Sequence, residues 1–249
     1  MGNDAYVAPF GDALAEMTVA QLNIAASVDH LVPVGAKFDW KLWRERWKRL
    51  PGSHDPSWLD FMRGGRHPTR LELRRAAQRL QRELATKLEV EVEWNEDAVF
   101  PTGPDHDLED RVPRVGTLGL RRLALLAGEE DAPSREAIER ALDEDAPMEI
   151  AECAALHDPA HPFVQLLHLD AGNLLVPVAF RCVLQGIPWT IGSAPVLLDE
   201  LDRIAAILGP IETIRGRDDQ LFEIVRALRT LERLARRAVE LRLPLFIDS

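Results

Sequence analysis

Apolar positions along this chain follow two periods, and the switches between them outline its elements. From Thr69 onward, Leu73, Ala76, Ala77, Leu80 and Leu84 recur every three or four places, with Thr69 and Glu72 placed as a capping box. That spacing predicts a helix from 70 to about 88. The next residues alternate strictly, Leu88, Val90, Val92 and Trp94 against Glu89, Glu91 and Glu93, which predicts a half-buried strand with a row of carboxylates outside. Further helices are predicted at 13–26, at 39–50 behind Asp39, at 55–62, at 117–127, at 134–145 behind Ser134, at 147–156, at 194–208 behind Ser193 and at 218–242.

The apolar stretch from Phe163 to Leu184, broken at Asp170-Ala171-Gly172-Asn173, predicts a hairpin with strands at 163–169 and 174–184. Pro177 places the second of these at an edge or a bulge. Short strands at 188–191 and 245–247 complete the pattern, while 30–34 is an extended turn. Residues 95–116 hold Pro101, Pro104 and Pro113 among many acids and are predicted as loop. The boundary falls there: an N-terminal region 1–100, a linker 101–113 and a C-terminal domain 114–249. A sheet taking strands from both sides of the linker would instead make one domain with a long excursion. The expected class is α+β, mostly helical, with one small, largely antiparallel sheet built from 88–94 and the strands between 163 and 191.

Charge sharpens this outline. The 249 residues carry a net charge of -11, yet Lys37 to Lys87 holds fourteen Lys or Arg against six Asp or Glu, together with Trp40, Trp43, Trp47 and Trp58. Such a polarised field attracts either another molecule or the protein's own acidic half. Trp40, Trp43 and Trp47 share one face of the 39–50 helix, so core packing competes with an exposed aromatic surface. The residues singled out for partner binding are Trp43, Arg44, Trp47, Lys48, Arg70, Arg74, Arg75, Arg79 and Arg82. Nucleic acid is the alternative occupant, since cations neutralise phosphates and indoles stack on bases. No RNA-binding or zinc-finger pattern accompanies the charge.

Complete catalytic sets are missing from the chain. Cys153, His157, His161, His168 and Asp170 form its densest metal-like cluster, but Pro159 and Pro162 break the helix that would align them, so a turn is the plainer account. A divalent metal on His157, His161, His168 and Asp170 is the enzymatic alternative; otherwise no cofactor is expected. The acids around Asp105 to Asp110 lack the EF-hand glycine and spacing. Ser193 stands where a strand hands over to a helix, in a Gly-Ser-Ala-Pro context that suits a cap better than a nucleophile. Gly116 and Gly119 lack the third glycine and preceding strand of a dinucleotide fingerprint. The narrow apolar seam of the 218–242 helix packs in its own domain or meets a partner helix, as in a homodimer. Two cysteines without a pairing pattern, no signal sequence and no long apolar run point to a reducing cytoplasm and away from membrane. The sequence thus favours a non-enzymatic cytoplasmic protein that binds another macromolecule, a protein first of all, with an immunity- or antitoxin-like neutraliser as one concrete form.

Overall fold

The computed structural model describes residues 2–15, 17–36, 41, 45, 66–95, 109–129, 133–142, 154–169, 172–186, 189–209 and 219–248. Its elements run β1 (Gly2–Val7), α1 (Phe10–Ala13), α2 (Val19–Ala25), β2 (Val32–Pro33), α3 (Arg70–Leu88), β3 (Glu109–Pro113), α4 (Arg114–Glu129) and α5 (Arg135–Ala141). There follow α6 (Val164–Leu167), β4 (Asn173–Val176), β5 (Leu184–Gln185), β6 (Thr190–Ser193), α7 (Ala194–Leu208), α8 (Asp219–Leu241) and β7 (Leu245–Asp248). The α+β class holds, but the sheet is larger than expected and mixed.

Seven strands form it, in the order β2-β5-β6-β4-β7-β1-β3. Only β4 and β6 pair in parallel; every other neighbour is antiparallel. Strands β1 and β2 come from before residue 101, and β3 lies in the Pro-rich stretch expected to be loop. β7 slots between β4 and β1, in the interior of the sheet.

Alternation along the central strands sorts two cores onto opposite faces. Ala5, Val7, Leu175, Leu245 and Ile247 join a cluster with α4, α7 and α8, while Leu174, Val176 and Phe246 join another with α1, α2 and α3. Helices therefore cover both sides of the sheet, the arrangement that hides a double-faced apolar strand from water. Within the first layer α4 and α8 pack so closely that a Cβ on Gly116 would come within 2.2 Å of the Glu223 carbonyl oxygen. That contact, rather than a nucleotide, accounts for the glycine. The seam of α8, including Ile224, Ala227, Leu228, Leu231, Leu234, Ala235 and Ala238, is buried in the same cluster.

Three expected strands are corrected. Residues 89–95 alternate as expected, with Glu89, Glu91 and Glu93 exposed and Trp94 buried, yet they join no ladder. Glu89 takes a left-handed turn at φ 54, and Val92 and Trp94 then pack on the α3 core instead of extending the sheet. Residues 163–169 do not form the first arm of a hairpin but contain the short helix α6. The expected 174–184 strand stops at Val176, before Pro177, because β4 finds its partners in β6 and β7.

Candidate partner-binding surfaces

α3 is fixed at its start by the capping box read from sequence. Thr69 Oγ1 accepts the Glu72 N–H at 3.4 Å, and Glu72 Oε2 accepts the Thr69 N–H at 2.8 Å. Arg66 also pairs with Glu72, donating from Nη1 at 2.8 Å. The Arg66 hydrogen bond, with the Thr69 donors, holds the Glu72 carboxyl down at about 2. Leu73, Ala76, Ala77, Leu80 and Leu84 face the core. The outward face holds Arg70, Leu71, Arg74, Arg75, Gln78 and Arg82, all exposed. Arg79 is half-buried and pairs with Glu83 one turn on. Of the other residues singled out in sequence, Trp43, Arg44, Trp47 and Lys48 lie outside the described residues. Their neighbours Lys41 and Glu45 are helical and exposed.

The carboxylate row follows directly. Trp94 anchors it: the ring stacks on Phe10 at 5.9 Å, and the Gln81 amide, assigned with its oxygen toward the indole, accepts the Trp94 indole N–H at 2.8 Å and its backbone N–H at 3.0 Å. Asn95 N–H donates to the Arg242 carbonyl at 2.7 Å, tying the row's far end to the turn before β7. With Val92 and Trp94 turned inward, Glu89, Glu91 and Glu93 point to solvent. Arg242 reaches Glu93 at 3.4 Å, a loose and exposed pair worth little. Two more carboxylates stand opposite each other on the sheet, Asp4 on β1 and Asp248 on β7, with Arg111 at 3.1 Å from Asp4.

The histidines do not converge on a centre. His157 is exposed; His161 Nδ1 accepts the Phe163 N–H at 3.2 Å; His168 Nδ1 faces the Gln185 amide nitrogen at 3.1 Å. Burial pushes His168 down to about 4 and lowers His161, so both rings are neutral near pH 7. Asp170 and Cys153 lie outside the described residues. Among those described, no three His, Cys, Asp or Glu side chains are grouped to hold a metal ion. Ser193 is fully buried as the cap of α7: Oγ donates to the Val178 carbonyl at 2.7 Å and accepts the Val196 N–H at 3.2 Å.

One buried carboxyl escaped the sequence reading. Glu200 on α7 is 2% exposed, and its two oxygens accept the N–H groups of Gln165 at 3.1 Å and Leu166 at 2.8 Å. It caps α6, which explains why 163–169 is helical here. Burial raises the Glu200 carboxyl to about 8 although both backbone donors and Arg203 oppose the shift. Gln165 extends the network: its Oε1 accepts the Ser193 N–H at 2.9 Å, which requires that Gly192 have no side chain, since a Cβ there would lie 2.4 Å from the same oxygen. A signal existed, because Glu200 falls with Leu197, Leu201 and Ile204 on the apolar face of α7.

Among the described residues no helix is long and apolar enough to cross a membrane. No curated protein and no solved structure matches the chain. A family model does match, over residues 62–243, which takes in α3, the carboxylate row and everything through α8, so the chain belongs to the family described as "Putative DNA-mimic protein".

Proposed function

We propose that this protein is a non-enzymatic DNA mimic, occupying the nucleic-acid-binding surface of another protein with its own carboxylates. The observation that carries this is the row Glu89, Glu91 and Glu93, held outward by the buried Trp94 within a family of DNA mimics. Along an extended chain alternate side chains stand roughly 6.5 Å apart. A strand of B-DNA carries one charge per roughly 3.4 Å of axis, so Glu91 and Glu93 offer about half that density along one line, with Glu89 set off by the left-handed turn at the end of α3. A fixed row avoids the ordering entropy that a floppy acidic tail would lose on binding. The chain's net charge of -11 adds long-range attraction to a basic cleft and repulsion from DNA itself, which favours competition with DNA over ternary binding. In a reducing cytoplasm the concrete form is a neutraliser, immunity- or antitoxin-like, of a nucleic-acid enzyme or DNA-binding regulator. The half-buried Cys182 suits that compartment, its thiol raised by burial and so unreactive.

The test is displacement from DNA-cellulose. Host extract bound at low salt is eluted with the purified protein, with the Glu89→Gln/Glu91→Gln/Glu93→Gln variant, and with an unrelated protein of similar charge. The expected result is a specific DNA-binding protein released by the wild type and about tenfold less by the triple variant, as for loss of several interface charges. Equal release by the unrelated protein would refute the reading.

A further inference from the structure

Arg70, Leu71, Arg74, Arg75, Gln78 and Arg82 occupy one continuous arc of α3, opposite its buried stripe. From Arg70 to Arg82 the arc runs about 18 Å along the helix. Leu71 is 57% exposed and lies one turn from both Arg74 and Arg75, so an apolar spot sits amid cations. Both glutamates of the helix are engaged elsewhere: Glu72 closes the capping box and holds Arg66, and Glu83 takes the Val28 N–H at 2.8 Å and pairs with Arg79. Among the described residues Arg70 and Arg75 make no ion pair.

We propose that this face of α3 docks an acidic, leucine-bearing polypeptide segment of a partner protein, carboxylates on Arg70 and Arg75 and an apolar side chain on Leu71. Charge complementarity selects an anionic occupant. Leu71 then selects polypeptide over nucleic acid, because a phosphate backbone gains nothing from an exposed leucine. The acids Glu89, Glu91 and Glu93 just past the end of α3 repel a duplex laid along the helix, whereas a short peptide ends before reaching them. A chain of net charge -11 also repels a dense polyanion more strongly than a moderately charged peptide. The surface is separate from the carboxylate row, so a DNA mimic so equipped would hold a partner through two patches of opposite sign. It would thereby gain a contact that DNA cannot make.

The probe is a fluorescein-labelled peptide of about 15 residues, glutamate with leucine at every fourth position, titrated with the full-length protein by anisotropy at about 50 and 300 mM salt, a range over which the screening length roughly halves. Saturable binding that weakens with salt is expected, about tenfold weaker for Arg70→Glu/Arg75→Glu. Binding should be retained by Arg70→Lys/Arg75→Lys, by Arg229→Glu on α8 and by the triple glutamine variant of the row. Leu71→Ser should weaken binding several-fold while leaving the salt dependence in place. Both arginines point to solvent, and urea midpoints confirm that each variant is folded. No saturable binding at low salt, or a labelled duplex of similar length binding as tightly as the peptide, would overturn the proposal; either result leaves the displacement test of the carboxylate row unaffected.

Discussion

α3 and α8 each carry five arginines on an amphipathic helix, and their surfaces differ because of where the acids fall. On α8, Glu223, Glu232 and Glu240 sit three or four places from a cation, giving Arg226–Glu223 at 4.0 Å, Arg236–Glu232 at 2.9 Å and Arg237–Glu240 at 3.4 Å. Its outer face is largely self-neutralised. α3 has only Glu72 and Glu83, one used at the cap and the other half-buried against Val28, so its own acids leave Arg70 and Arg75 unmatched. Similar basic content thus yields a largely self-paired helix face in one place and, in the other, a face on which Arg70 and Arg75 have no ion pair among the described residues. Charge position, rather than charge count, separates them.

The largest expected effect concerns the apolar side of α8. Leu231 is fully buried in the cluster beneath α4 and α7, so Leu231→Ala should cost roughly 3 kcal/mol of stability by losing transfer energy and leaving a cavity. Leu84→Ala on α3, equally buried, should cost a similar amount. Urea unfolding measures both. A Leu231→Ala protein of unchanged stability but altered sedimentation would mean that the seam serves an interface and that the contrast between the helices is drawn wrongly.

α7 supplies the limiting case, an ionisable carboxyl moved from the surface into the core. The folded Glu200 carboxyl is raised to about 8 from an ordinary value of 4.5, so the folded state holds its proton more tightly. This contribution to stability is complete below the unfolded value and is lost as pH rises through the folded one. Between pH 6.5 and 8 stability should fall by about 1–2 kcal/mol, and Glu200→Gln should flatten that slope. The lowered histidines, whose unfolded value is 6.5, add only a smaller rise at the lower end of this window, and the raised Cys182 thiol acts above it. A wild-type stability independent of pH across this range would show that the two backbone donors outweigh burial.

What the sequence disclosed and what it hid follow the same division. Helix spans with local signals were legible: the Thr69 box, the Ser134 and Ser193 caps, and the periodicity that puts α8 at Asp219–Leu241. Residues 88–94 gave the correct inside and outside but the wrong element, because alternation reports burial and not ladder partners. The hairpin failed for a non-local reason: α6 exists because Glu200, 35 positions away from Gln165, satisfies its first N–H groups. β1, paired on both sides, and β3, at the sheet's edge, were missed because each is of mixed polarity and the two pair across more than a hundred residues. Of the candidate site, the basic arc of α3 and the carboxylate row were both legible as charge patterns. How far each helix pairs its own arginines was not, since pairing depends on which acids the fold diverts to caps.

The smallest effect sharpens the comparison most. Arg70 is the first residue of α3, where the positive end of the helix dipole disfavours a cation. Arg70→Glu should therefore raise stability by about 0.5 kcal/mol while weakening peptide binding. On α8, Arg236→Ala should lose about 0.3 kcal/mol as an exposed pair is broken, with no effect on binding. Thermal unfolding at low salt resolves the sign for both, and high salt should shrink both differences. A cation kept at a position where the helix itself disfavours it, and whose removal stabilises the fold while weakening an interaction, is the pattern of a residue retained for contact. If Arg70→Glu instead destabilises the protein, Arg70 serves the fold as the arginines of α8 do, and the distinction between the two helices collapses.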